Sequence, residues 1–334
     1  MAEPSLRERV RGCLLGGAIG DAVGLVTQWR ALTLRRALPC PDLSAYTHVS
    51  CWWRPAGSVS DDTVLSMAVA ESLAAAGAPD PSDAARRIVA AWPAVFGAGA
   101  ATRRAVRSLS RGVPWEQAGV PSAGNGAAMR AAPIGLLLWG RLGEIPAAAA
   151  ALSRITHTHP RALASATAIA AATALAAGEV ADARGVLSTI APLVAPDDPA
   201  LAGWLLELPA WLGRPVAEVR RWLVRLDRPG FSLRGRSSRY TSWAVPTTLG
   251  ALWAWLGARS FEDAIVRAVS LRIDDDTTGA IAGQLAGAAS GFAAIRPGLV
   301  EGLAEHARWL AIADALADAA GGRRVTRAPP LGRG

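Results

Sequence analysis

The chain has 334 residues, 51% of them hydrophobic and 19% charged, with three Cys and a formal net charge of +8. That balance excludes a disordered chain, which pairs low hydrophobicity with high net charge, and excludes a disulfide-stapled mini-domain. All 35 basic residues are Arg, and Arg323, Arg324, Arg327 and Arg333 near the C-terminus carry half of the net charge, so the basic character argues only weakly for a nucleic-acid partner.

Read from the N-terminus, the pattern is helical almost throughout. Periodicity and cap residues predict helices over 5–24, 61–76, 82–95, 102–110, 126–140, 161–177, 199–212, 215–226, 246–257, 261–270, 277–292 and 299–319. Alternating β-branched runs bounded by turn residues are nearly absent, so the predicted fold class is all-α. The breaks at Ala78-Pro79-Asp80-Pro81 and Pro196-Asp197-Asp198-Pro199 are short turns. With no long linker, the reading is one compact many-helix domain over 5–319, followed by an expected disordered basic tail over 320–334.

The apolar run from Cys13 to Gly20 resembles part of a signal peptide, but Asp21 interrupts it and no cleavage site follows, so it is read as mature protein. No charge-free stretch of ~18 apolar residues is present, and no membrane span or membrane partner is expected. Cys13, Cys40 and Cys51 lack CxxC spacing and a Cys/His cluster, which argues against structural zinc and for a reducing, cytoplasmic location.

Two segments carry small residues every fourth position: Gly12, Gly16, Gly20 and Gly24, then Gly279, Gly283 and Gly287. In a helix each set forms one stripe that lets another backbone approach closely, so the first reading is tight packing of central helices. Both stripes adjoin carboxylates. Asp21 lies within the first, and Asp274-Asp275-Asp276 precedes the second.

Ser60-Asp61-Asp62-Thr63 and Asp274-Asp275-Asp276-Thr277 each read as a helix N-terminus, with a capping residue and acidic first-turn residues. A cap needs one acceptor, and five carboxylates at two helix starts would repel one another without a compensating cation. Asp274 and Asp276 stand two residues apart in a pre-helical turn and can converge on one point. Oxygen ligands without His or Cys favour Mg²⁺, Mn²⁺ or Ca²⁺ over zinc, and the spacing is not that of an EF-hand.

Four blocks in order then resemble the ADP-ribosylglycohydrolase family. They are Arg11-Gly12-Cys13-Leu14-Leu15-Gly16-Gly17-Ala18-Ile19-Gly20-Asp21-Ala22-Val23-Gly24; Ser60-Asp61-Asp62-Thr63 leading into Ala70-Glu71-Ser72-Leu73; Gly124-Asn125-Gly126-Ala127-Ala128-Met129-Arg130-Ala131-Ala132-Pro133 with Thr156-His157; and Asp274-Asp275-Asp276-Thr277 with Gly279-Ala280-Ile281-Ala282-Gly283. The resemblance implies a compact all-α fold around two divalent cations, Mg²⁺ or Mn²⁺. It further implies hydrolysis of the N- or O-glycosidic bond at the anomeric carbon of ADP-ribose, in an ADP-ribosylated protein or a small-molecule ADP-ribosyl or NAD-derived substrate.

Carried over by residue, the implied metal ligands are Ser60, Asp61, Asp62, Asp274, Asp276 and Thr277, with Ser60 replacing the family's Thr. Asp61 or Asp62 is the implied general base. Implied substrate contacts are Asp21, Gln28, Met129, His157, Tyr240 and the Gly124-Asn125-Gly126 turn, whose N–H groups would meet the diphosphate at a helix start. Read alone, Gly-Asn-Gly is a turn, His157 a cap or core histidine, and Tyr240 a packing residue.

One departure stands out. Four residues after its last Gly the family's first block usually carries Glu, where this chain has Gln28. An amide orients water or substrate but does not exchange a proton as a carboxylate does. Beside the hydrolase, two other readings stand: a non-catalytic ADP-ribose-binding or protein-interaction relative, and a hydrolase of a small-molecule N-riboside.

Overall fold

Two long helices, Leu6–Leu34 and Asp275–Ser290, form the axis of the fold. In the computed structural model, residues 3–34, 43–47, 50–51, 53–178, 182–226 and 242–322 are described. The two glycine stripes face each other antiparallel, Gly12 against Gly287, Gly16 against Gly283 and Gly20 against Gly279, with Gly24 against the backbone of Asp275 and Asp276. A Cβ at any of these glycines would collide with backbone across the interface, so backbones this close require a bare Cα surface. The expected tight packing is thus between the two stripes themselves.

Both axial helices are apolar on nearly all sides because other helices cover them. Phe261–Ser270, Ala244–Leu256 and Pro160–Ala176 pack on Asp275–Ser290, while His306–Gly321 touches both Leu6–Leu34 and Asp61–Ala76. At the far end from the acidic turns, the buried Arg9 guanidinium donates to the carbonyls of Ala176, Ala288 and Ala289. It thereby closes two helix C-termini whose last carbonyls lack intrahelical donors. By length and composition Leu6–Arg30 could cross a membrane although it carries Asp21; here 94% of its most apolar window is buried in the protein.

Among the described residues there are sixteen α-helices and no β-strand, only isolated bridges such as Val120 to His157 and Gly124 to Trp243. The start at Asp61 agrees with expectation, and Asp275 begins its helix two residues early. Elsewhere the sequence misleads where Pro or Gly intervenes. The first helix continues past Gly24 to Leu34. Ile145–Arg154 and Ala183–Val194 were not anticipated; Pro146 fits the first turn of one, and Pro192 is carried inside the other. The expected 126–140 helix divides into a 3₁₀ turn, Ala128–Arg130, and Ala132–Leu137. The 299–319 helix divides at Glu305, whose φ is +61°. The last helix runs to Gly321, and the rest of the expected tail, 323–334, lies outside the described residues.

Candidate active site

The two acidic helix starts meet at one end of the axial pair. Asp21, fully buried on the first helix, uses Oδ2 to accept the N–H groups of Ser60 (2.9 Å) and Thr63 (3.1 Å) and the Thr63 hydroxyl (2.6 Å). It therefore caps the Asp61–Ala76 helix from a neighbouring element, satisfying N–H groups that have no intrahelical partner. Burial raises its carboxyl to about 7 against the pull of these donors, and Asp276 adds to the rise. Only Oδ2 is committed to this cap; Asp21 Oδ1 is buried without a hydrogen-bond donor.

Ser60 Oγ accepts the Asp62 N–H at 3.1 Å and donates to Asp62 Oδ2 at 3.0 Å, while the Asp61 N–H donates to the Phe96 carbonyl at 2.7 Å. From the other helix start, the Thr277 hydroxyl lies 3.3 Å from Asp62 Oδ2 and 3.5 Å from Asp274 Oδ2. Asn125 Nδ2 donates to the same Asp274 oxygen at 2.8 Å and to Thr247 Oγ1 at 3.2 Å. Asp276 accepts the Thr277 N–H at 2.9 Å. Asp275 is committed elsewhere: it pairs at 2.8 Å with Arg272, which also donates to the Thr27 carbonyl.

Thus Asp62, Asp274 and Thr277 come together with Ser60, and Asp61 and Asp276 stand within electrostatic reach. Burial first, then repulsion from Asp276 and the other neighbouring carboxylates, holds Asp61 and Asp62 well above the usual carboxylate range. Asp274 is raised for the same two reasons, and Asp276 chiefly by burial. Arg130 offsets part of this at Asp61. Asp62 Oδ1 is buried without a hydrogen-bond donor. An orphaned carboxylate oxygen among oxygen-only donors with surplus negative charge fits a hard divalent cation. As the side chains stand, no group of three or more His, Cys, Asp or Glu among the described residues is gathered to hold a metal ion; Ser60, Thr277 and Asn125 occupy the facing oxygens.

The glycine turn differs from expectation. The Asn125 N–H donates to the Ser242 carbonyl at 3.0 Å and the Gly124 N–H to Ser122 Oγ at 3.2 Å, so neither is free for a diphosphate. The turn leads into a short 3₁₀ segment rather than a helix start. Its contribution is the Asn125 side chain, which holds Asp274. Gly126 serves close packing: a Cβ there would lie 2.8 Å from His157 Cε1. Met129 is buried in the core, and its carbonyl accepts from Gln284 Nε2 at 3.2 Å. Gln28 is half-buried one turn beyond Gly24, with Oε1 buried and unpartnered. Tyr240 lies outside the described residues.

Sequence reading gave no role to Arg130, Thr156, Thr247 or Arg272. A usable signal existed for Arg130, a lone cation in the apolar run Ala127–Leu138, where a buried charge must find acceptors. It finds the Gly126 carbonyl and the Thr156 hydroxyl.

A sequence profile for the family described as ADP-ribosylglycohydrolase matches residues 2–326. An uncharacterized protein of Archaeoglobus fulgidus is 30% identical over 302 residues, covering 86% of this chain and 89% of its own. The ADP-ribosyl-[dinitrogen reductase] glycohydrolase of Rhodospirillum rubrum is 28% identical over 296 residues, covering 87% and 88%. The ADP-ribosylarginine hydrolase Tri1 of Pseudomonas putida is 28% identical over 317 residues, covering 91% and 77%. A solved structure, an ADP-ribosylglycohydrolase-related protein complex, superimposes with a TM-score of 0.69 at 29% identity, covering 94% of this chain and 99% of that one.

Proposed function

The chain belongs to the ADP-ribosylglycohydrolase family and is a glycosidase of that type, and on this premise we propose that it hydrolyses the anomeric bond of an ADP-ribosyl group attached to a protein side chain. The observation that carries the reading is the meeting of the two acidic helix starts, joined where the Thr277 hydroxyl faces Asp62 and Asp274. The names of the Rhodospirillum and Pseudomonas relatives supply the substrate class.

Ser60, Asp61, Asp62, Asp274, Asp276 and Thr277 would hold two Mg²⁺ or Mn²⁺ ions. When bound, such ions polarise a water and hold hydroxyl groups of the ribose. The residues of the chain do the rest. Asn125 orients Asp274 through a hydrogen bond to its Oδ2, and Asp21 fixes the start of the Asp61 helix. Asp61 or Asp62 accepts the proton of the attacking water. Gln28 occupies the position expected of a carboxylate and cannot return a proton to the leaving group.

That last residue favours a second reading, a small NAD-derived glycoside whose leaving group needs no protonation. The deciding experiment incubates purified protein with Mg²⁺ or Mn²⁺ and ADP-ribosyl-arginine, ADP-ribosyl-serine or an N-glycosylated pyridinium, and quantifies released ADP-ribose by chromatography. Release that disappears with EDTA and in Asp276→Asn, with helical content retained, is the expected result. No release from any of the three with either cation would sink the proposal.

A further inference from the structure

His157 lies at the end of a buried hydrogen-bond chain whose donors and acceptors can be counted. Arg130 is 2% exposed and donates through Nη1 to the Gly126 carbonyl at 2.7 Å and through Nη2 to Thr156 Oγ1 at 2.6 Å. A guanidinium has donors only, so the Thr156 oxygen must be the acceptor in that contact. Thr156 is fully buried, and its Oγ1 lies 2.8 Å from His157 Nδ1.

If Nδ1 carried the proton, the Thr156 oxygen would take two donors while its own hydrogen pointed at nothing, a costly arrangement in a buried residue. With Nδ1 as acceptor, every group from Arg130 to Nδ1 is satisfied, and the Nε2–H alone is left to find an acceptor. The proton then sits on Nε2, which lies against the glycine turn: a Cβ would stand 3.3 Å from it at Gly126 and 3.4 Å at Gly124. Among the described residues Nε2 has no hydrogen-bond partner. Burial, helped by the nearby Arg130 charge, lowers the His157 pKa to about 3 and keeps the ring neutral.

We propose that Arg130 and Thr156 are positioning residues that lock His157 in its Nε2–H tautomer, so that the ring presents a donor, and never a base, beside the Asn125 turn. For the identity of the acceptor, an oxygen of the bound ADP-ribosyl group, this rests on the function proposed above. The tautomer itself does not depend on that function.

The test is ¹⁵N nuclear magnetic resonance of protein labelled at its four His, with His157→Gln to assign the signal, on wild type, Thr156→Ser and the isosteric Thr156→Val. Wild type and Thr156→Ser should show protonated Nε2 and bare Nδ1, unchanged from pH 8 to pH 5. Thr156→Val should lose that preference and bind ADP-ribose roughly ten- to a hundredfold more weakly, the size of one hydrogen bond to a charged acceptor. Thr156→Ser should retain wild-type affinity.

A protonated Nδ1 in wild type, a titration near the ordinary histidine value, or a Thr156→Val tautomer like that of wild type would overturn the lock. Altered tautomer with unaltered ADP-ribose affinity would overturn the donor role. A wild type that binds no ADP-ribose would overturn the functional reading instead, and the tautomer measurement would still decide the lock by itself.

Discussion

The Thr277 hydroxyl stands 3.3 Å from Asp62 Oδ2 across 215 positions of sequence. One proton serves two facing carboxylates, since Asp274 Oδ2 lies 3.5 Å from the same oxygen. A single hydroxyl does not neutralise such a pair, and Asp62 keeps a second oxygen with no donor.

Asp62→Asn should therefore act oppositely with and without cation. Free of divalent ions, the variant should melt at a higher temperature than wild type, because a buried charge that repels Asp61, Asp274 and Asp276 is gone. Wild type should gain ~2.7 kcal/mol at a Mn²⁺ concentration a hundredfold above its dissociation constant, and the variant much less. Scanning calorimetry with EDTA and then with Mn²⁺ reads both effects; equal gains in the two proteins would exclude Asp62 as a ligand.

Gly20→Ala should test the axial contact. Its methyl would enter the space of the Gly279 carbonyl, where only backbone can yield, at a cost of ~1–3 kcal/mol or more. Gly203→Ala is the control, because that Cβ meets nothing within 4 Å on an exposed helical position; it should stabilise by ~0.5–1 kcal/mol. Urea denaturation of both variants decides, and a neutral Gly20→Ala would contradict the packing described.

Gln28→Glu should change substrate preference. Protonating the leaving group typically contributes roughly 10²–10⁴-fold, and an arginine conjugate needs that help more than a glycosylated pyridinium, whose departure neutralises its own charge. Wild type should then be slow on ADP-ribosyl-arginine, and Gln28→Glu should raise kcat/KM there more than on the activated glycoside. Fast wild-type hydrolysis of the arginine conjugate, unchanged or weakened by the substitution, would refute this.

His157 should contribute an acid-dependent loss of stability. Its folded pKa is lowered to about 3, below the unfolded value of ~6.5, so between those values the unfolded chain binds more protons and stability falls as pH falls. Near pH 5.5 this one group should cost ~1.4 kcal/mol relative to neutral pH. The drop in unfolding free energy from pH 7.5 to 5.5 should be smaller by that amount in His157→Gln, and an identical drop would mean a solvated, ordinary imidazole.

The elements of the site were legible in sequence to the extent that their chemistry is local. Ser60 caps the Asp61 helix as its hydroxyl suggests, and the four-residue glycine spacing announces a close helix contact. What could not be read is which remote segment supplies a partner. Asn125 looks like a turn residue presenting N–H groups, but Ser242 takes its backbone N–H and Asp274 its side chain, contacts that spacing within one segment cannot encode. Asp21 looks like a site acid, and its capping role is hidden because the Ser60 N–H that it accepts lies 39 residues away. Proline misled for a different reason. Pro192 sits inside Ala183–Val194, where its sequence signal says a helix should break.

Asp21 and Gly24 stand three residues apart on one helix; the first holds the Ser60–Thr63 start, and the second abuts the backbone of Asp275 and Asp276. Their separation along the axis is about 4.5 Å, and that short length of rod gauges the gap between the two half-sites. The exposed turns between Thr63 and Asp274, such as the one at Gly112, can be lengthened or exchanged without re-spacing the acids. A single residue inserted between Asp21 and Gly24 would instead swing one half-site about 100° around the rod relative to the other. Tolerance to insertion should be wide in those turns and vanish over one helical turn near the beginning of the chain.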